Sequence, residues 1–314
     1  MTISTPAVLL LAFNRPEEAR RVFEKIRLAK PRKLYLACDG PREGRIGEIE
    51  AVKKVRALAN QVDWPCEVKT RFLEKNLGCG RAVSSAIEWF LNDAGEGIIL
   101  EDDCLPTPAF FRFCSVMLDR YRHDERVGVI AGSNMAPEVK LEHDFGFSRL
   151  VACWGWATWR RTWDNYQLVP RKIEFNEIGN NLYDTKSFHY LESSLQRIRS
   201  GDIHTWDYQL LVQLLRANQL TIFPRKNLVL NIGFCGSGTH FFSNERPWWA
   251  PRFAYNFDSN WNQLIEVKPA EIFDIYYQAS AHGGGKKIFR KWVKLSRSAH
   301  FLFERLWGRP SLME

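Results

Sequence analysis

Residues 97–105 read Gly-Ile-Ile-Leu-Glu-Asp-Asp-Cys-Leu, a short apolar run ending in three consecutive carboxylates, Glu101, Asp102 and Asp103. Ile98, Ile99 and Leu100 have the character of a strand buried on both faces, as in a parallel sheet covered by helices. In such sheets ligands sit beyond the carboxyl ends of the strands. Three like charges at one strand end repel one another, and a bound cation or a polar ligand relieves them. The triplet therefore marks the expected place of a metal–nucleotide site. The plainer alternative is an acidic loop at a helix N-terminus, since Pro106 and Pro108 announce a helix and acids favour that end.

Upstream of the triplet, apolar strand candidates alternate with amphipathic helix candidates. Strand Ala7–Phe13 precedes a helix with Ala19, Val22, Phe23 and Ile26 at i, i+3, i+4, i+7 spacing; strand Leu34–Cys38 then ends at Asp39-Gly40. A helix through Ile49, Val52, Val55 and Leu58 leads to strand Glu67–Phe72. The turn Asn76–Gly80 opens a helix over Arg81–Leu91 before the fourth strand. This βαβαβαβ order predicts an α/β fold, a Rossmann-type, mostly parallel sheet flanked by helices and joined by right-handed crossovers. A helix from Pro108 and a fifth strand over Val127–Ile130 follow.

From about residue 133 the alternation stops and aromatic residues crowd in: Trp154, Trp156, Trp159, Trp163, Trp206 and Tyr208. Helices are predicted over Phe188–Ile198 and Trp206–Ala217 and a strand over Leu228–Ile232. Gly233–His240, with three glycines and no period, reads as a loop near the site.

With 314 residues and 45% hydrophobic composition, the chain can bury one large core or two smaller ones. No run approaches the roughly 20 apolar residues of a membrane-spanning helix. The first apolar stretch lacks a preceding basic segment and a cleavage site, so a cytoplasmic protein is expected. Seven scattered cysteines without a Cys-x-x-Cys pair speak against a disulfide framework or a structural zinc site. Of the net charge of +8, residues 286–314 carry +6, from eight basic and two acidic side chains. The basic character is thus a property of the tail. Between Lys286 and Trp307, apolar residues recur in a helical sense with basic ones between them. That pattern suits an interfacial helix on an anionic membrane surface, or else a helix docked on the protein with a solvated basic face. Nucleic-acid binding is disfavoured by the neutral body.

Arg15, after the first strand, can face a phosphate; Asp39, after the second, can accept from a nucleobase or ribose. The Asn76–Arg81 turn carries neither a Gly-x-Gly-x-x-Gly nor a P-loop signature, so neither a Rossmann dehydrogenase nor a P-loop NTPase is supported. Asp207 is either a first-turn helix residue or a general base beside an aromatic wall. His240 is either structural or a ligand for metal or diphosphate.

The succession Leu-Ala-Phe13-Asn-Arg15, Cys-Asp39-Gly, Ile-Ile-Leu-Glu101-Asp102-Asp103, Pro108-x-Phe-Phe, Trp154-Gly-Trp156 with Trp159, Trp206-Asp207 and Thr239-His240 resembles the GT-A nucleotide-sugar glycosyltransferases, most closely the N-acetylglucosaminyltransferase I family. The resemblance covers roughly residues 7–245. It implies a nucleotide-diphosphate sugar donor, UDP-linked, with Phe13, Arg15, Asp39, Arg81, Glu101, Asp102 and Trp206 around it. Asp103 and His240 would hold Mn²⁺ or Mg²⁺, and Asp207 would be the base of an inverting transfer. The acceptor would be a glycan or glycolipid of a surface polysaccharide, and the chain would divide into a nucleotide-sugar-binding half over 1–132, an acceptor-side half of the same domain over 133–265 and a C-terminal basic amphipathic extension over 266–314. A sugar-nucleotide nucleotidyltransferase and a non-catalytic glycan- or nucleic-acid-binding module are the competing readings. The first would be expected to carry a Gly-rich basic phosphate loop after its first strand.

Overall fold

The computed structural model describes residues 4–182, 185–234, 250–257 and 259–281. The expected alternation is present. Strand β1 (Val8–Ala12) leads into helix α1 (Pro16–Ala29), strand β2 (Lys33–Cys38), helix α2 (Glu48–Arg56), strand β3 (Glu67–Phe72), helix α3 (Cys79–Ala94) and strand β4 (Glu96–Glu101). Each strand of β1, β2 and β4 is apolar on both sides, and the pleat divides it between two cores. Val8, Leu10, Leu34, Leu36, Ile98 and Leu100 pack under α1 and α2. Leu9, Leu11, Tyr35, Ala37 and Ile99 pack under α3. Fully burying a side chain of this size contributes about 1.5–3 kcal/mol, so a three-layer arrangement is the arrangement that satisfies both faces.

The turn Pro106–Pro108 is built differently from expectation. Cys104–Pro106 is a short strand, β5, and only Pro108 starts helix α4 (Pro108–Arg120). Strand β6 (Val127–Ala131) matches the predicted fifth strand, and strands β7 (Phe145–Ser148) and β8 (Trp156–Trp159) come next. One-turn helices α5 (Arg160–Trp163) and α6 (Phe175–Ile178) precede α7 (Thr185–Arg199) and α8 (Asp207–Arg216). Strands β9 (Leu220–Pro224) and β10 (Val229–Asn231) and helix α9 (Glu271–Ala281) complete the described elements.

The main sheet runs β3-β2-β1-β4-β8-β6-β9-β7, and β10 pairs with β5 in a second small sheet. The first four strands are parallel; β8 enters antiparallel between β4 and β6. Strands β7, β8 and β9 were not legible in the sequence, because their aromatic and polar residues mask the two-residue period. The Trp cluster expected on the acceptor side is largely core: Trp156, Trp159 and Trp163 are buried. The segment from residue 266 also departs from the expected separate extension. Through 281 it belongs to the body, with Asp274 accepting from Arg149 N–H at 3.0 Å and Phe273 stacked on Phe223 at 3.6 Å. The basic stretch 286–307 lies outside the described residues. No helix among the described residues is long and apolar enough to cross a membrane.

Candidate active site at the junction of β1 and β4

The chain order along the sheet reverses between β1 and β4. At such a switch point the crossovers on the two sides leave to opposite faces and open a crevice beyond the strand ends. Arg15 follows β1, and the three carboxylates end β4, so they meet there. Leu11 is registered opposite Glu101.

The three acids do not play equal parts. Asp102 is buried and turned inward. Its carboxylate accepts from the Phe13 backbone N–H at 3.3 Å and from Arg15 Nη2 in an ion pair. Asp103 accepts from Arg15 Nη1 at 3.0 Å, and its carbonyl receives the Ile232 N–H at 2.7 Å. Arg15 therefore bridges the two aspartates. Burial pushes the Asp102 carboxyl up to about 6, with Arg15 opposing. Glu101 is raised well above the usual carboxylate range by burial first, then by Asp103 and Asp102. This is the charge crowding anticipated from the sequence, now with a geometry. Asp102, however, is held by Phe13 and Arg15, so its expected contact with the donor is replaced by a positioning role.

Could this cluster take a hard cation? Mg²⁺ and Mn²⁺ are usually held by one or two protein carboxylates with the remaining positions filled by substrate and water. Asp103 retains Oδ1, which receives the Cys104 thiol at 3.4 Å, and Glu101 stands beside it with a proton affinity raised by burial and then by its acidic neighbours. The donor set fits such an ion. Among the described residues no group of three or more His, Cys, Asp or Glu side chains is arranged as a preformed cage. The expected ligand His240, with the loop 235–240, lies outside the described residues. Gly233 is at the start of that loop, and a Cβ there would stand 2.3 Å from Asp103 Oδ2 and 3.2 Å from Arg15 Nη1. Only glycine lets this backbone approach the acids so closely.

Asp39 ends β2 as expected, but its carboxylate is largely spent on the chain. It accepts from the N–H groups of Gly40 at 2.8 Å, Leu77 at 2.9 Å and Gly78 at 3.1 Å. It fixes the turn before α3, a role that its reading as a base- or ribose-binding group did not include. Beside it, Glu48 ties the two strand ends together, accepting from Asn14 Nδ2 at 2.9 Å and the Arg42 N–H at 2.7 Å. Hydrogen bonds from Arg42 hold the Glu48 carboxyl down to about 2. Arg42 in turn lies 5.4 Å over the Phe13 ring. Neither Glu48 nor Arg42 carries a sequence signal, since both sit in an ordinary polar stretch.

Asp207 is the first residue of α8, exposed, with Oδ1 accepting from Thr205 Oγ1 at 2.6 Å and the Tyr208 N–H at 3.0 Å. Its charge reaches both Glu101 and the Cys79 thiol, which burial, then Glu101 and Asp207, push up to about 12. Cys79 opens α3, so the α3 N-terminus, β4 end and α8 N-terminus converge. Trp206 does not face the crevice: it is buried and stacked on Trp156 at 5.6 Å. Its placement with the donor is corrected to a core anchor that orients Asp207. Arg81 is corrected as well, since its side chain lines a separate groove on the outer flank of α3.

No family model and no curated protein matches the chain. Among solved structures, HddC from Yersinia pseudotuberculosis overlays with a TM-score of 0.33 and 15% identity, covering 54% of this chain and 83% of the other. UDP-glucose pyrophosphorylase complexed with UDP-glucose overlays with a TM-score of 0.36 and 8% identity, covering 70% and 89%. Overlays of this quality carry no argument about activity.

Proposed function

We propose that the chain is an enzyme acting on nucleotide-diphosphate sugars, and within that class a metal-assisted, inverting glycosyltransferase. One observation carries the reading: the Arg15–Asp102–Asp103 clamp and Glu101 lie at the sheet's switch point, with Asp207 presented from the start of α8 in electrostatic reach of Glu101. Asp103 would hold a divalent cation, with Glu101 beside it. Such an ion supplies charge neutralisation for a departing diphosphate. Arg15 keeps Asp103 in position and adds positive charge on the same side.

Asp207, with Oδ1 engaged by Thr205 and Tyr208, would use Oδ2 to take the proton of an acceptor hydroxyl. The hydroxyl oxygen forms its bond to the anomeric carbon as the bond to the diphosphate breaks. The electron pair leaves with the phosphate oxygen, and attack opposite the leaving group inverts the centre.

Nucleotidyl transfer from a nucleoside triphosphate to a sugar phosphate is the second reading. The link from β1 to α1 is short, with Arg15 at the N-cap and Pro16 in the first turn, and contains no glycine-rich basic loop to cradle a triphosphate. That disfavours it. UDP titration with and without Mn²⁺ tests the common part, and Asp103→Ala should abolish the metal-dependent component. Incubation with UDP-sugars against UTP plus sugar 1-phosphates separates the two reactions. Pyrophosphate release from UTP, without sugar release from any UDP-sugar, would overturn the glycosyltransferase reading.

A further inference from the structure

Along the outer flank of α3 runs a groove of about 590 Å³, bounded by β3 on one side and the α5 region on the other. Three arginines line it, Arg71, Arg81 and Arg160. Arg71, on the edge strand β3, donates from Nη1 to Ser85 Oγ at 3.0 Å. Among the described residues neither Arg71 nor Arg81 forms an ion pair. Arg160 is paired with Asp164 at 3.2 Å, and Glu88 is the groove's other acid. The groove thus keeps a positive excess. A guanidinium offers five donors in a planar fork, and one hydrogen bond to a serine leaves most of Arg71's unsatisfied by protein.

The Ser84 and Ser85 hydroxyls on one wall are bonded within α3, to the carbonyls of Arg81 at 3.4 Å and Ala82 at 3.3 Å, and on the other wall the buried Trp163 is stacked on Tyr166 at 4.1 Å, so the arginines are the groove's available donors. Two links join this groove to the candidate active site. Tyr166 Oη donates at 3.0 Å to the carbonyl of Trp206, the residue before Asp207. Leu77 lines the groove while its N–H is bound by Asp39.

We propose that this groove is an anion subsite for an acidic sugar, a phosphate- or carboxylate-bearing unit of the acceptor, gripped by Arg71 and Arg81. Naming the occupant as acceptor rests on the transferase reading; the anion binding does not. Two parallel N–H···O contacts from Arg81, with Arg71 held on Ser85 one turn further along α3, would engage the oxygens of either group.

Calorimetric titration of the intact protein with inorganic phosphate and with glucuronate tests this and separates the two chemistries. Wild type should bind at least one saturably. Arg81→Gln, at an exposed position in the first turn of α3, should weaken it about tenfold, as expected for loss of one charge-assisted contact. Arg71→Gln/Arg81→Gln should weaken it further. Absence of saturable binding, or full binding by Arg81→Gln, would each overturn the assignment. Retained anion binding in a protein with no Mn²⁺-dependent UDP binding would remove the acceptor role alone.

Discussion

Arg15 donates to Asp103 at 3.0 Å while holding Asp102 with its other terminal nitrogen, so one guanidinium sets the positions of two adjacent carboxylates. Removing it leaves Asp102 buried without its counter-ion. Arg15→Ala should cost about 3 kcal/mol in urea unfolding, the order expected when one member of a buried pair is deleted. Arg15→Ala/Asp102→Asn should recover part of that loss. Additive losses in the double variant would show that the clamp does not couple the two.

The pH dependence has a definite sign. Asp102 titrates at about 6 in the folded protein, above the roughly 3.9 of an unfolded aspartate, and Glu101 is displaced in the same direction. The native state therefore binds more protons across that interval, and stability falls as pH rises from about 4 to about 6 in metal-free buffer. Asp102→Asn should flatten this fall, and Mn²⁺ should raise the unfolding midpoint more at pH 7 than at pH 5. A midpoint that climbs through this range without metal would contradict the crowding of the acids.

Asp207→Asn tests the proposed base. The amide keeps the shape and an oxygen for Thr205 and Tyr208, so UDP affinity should change less than twofold. Transfer should fall by about 10²–10⁴, the range general-base catalysis contributes. Full turnover in this variant would remove Asp207 from the chemistry.

Gly233→Ala places a methyl group against Asp103 and Arg15, with no room at 2.3 Å. Accommodating the methyl displaces the Asp103 carboxylate, a side-chain end, so the destabilisation should stay within the roughly 1–3 kcal/mol of local overpacking. Mn²⁺-dependent UDP binding should drop at least tenfold. A variant that unfolds globally, or one that binds normally, would show that this backbone does not define the acid pocket.

Glu48→Gln removes the charge that gathers Asn14 and Arg42. With Glu48 only 5% exposed, loss of its charge-assisted bonds should cost about 1.5–3 kcal/mol. The normally depressed Glu48 titration also contributes stability that is present above about pH 4.5 and disappears as pH falls toward 2. The substitution should therefore make the acid-unfolding limb shallower.

Much of the first half was legible because local periodicity and burial agree there. Val8–Leu11, Leu34–Leu36 and Ile98–Leu100 are apolar at every position, which in strands this short means covering on both faces. The helices between them carry the i, i+3, i+4 stripe that the two cores need. The later strands gave no such signal. Trp156 and Trp159 read only as part of an aromatic-rich stretch without a period and are core residues of β8, because a large aromatic is equally suited to a core or to a binding surface.

By itself, the sequence determined the α/β alternation, the acids at the end of the fourth strand, and Arg15 and Asp207 as chemically suited companions. Those follow from side-chain type and from periods of two and 3.6 residues, which are local properties. Tertiary structure decided the pairing of β1 with β4 that brings Arg15 to Asp102 and Asp103, and the antiparallel entry of β8. It also decided which way individual side chains turn: Asp102 inward, Asp39 onto the Leu77–Gly78 turn, Trp206 into the core and Arg81 to the outer groove. These depend on contacts between residues far apart in the chain, where burial and hydrogen-bond satisfaction choose among orientations that the local sequence leaves equivalent.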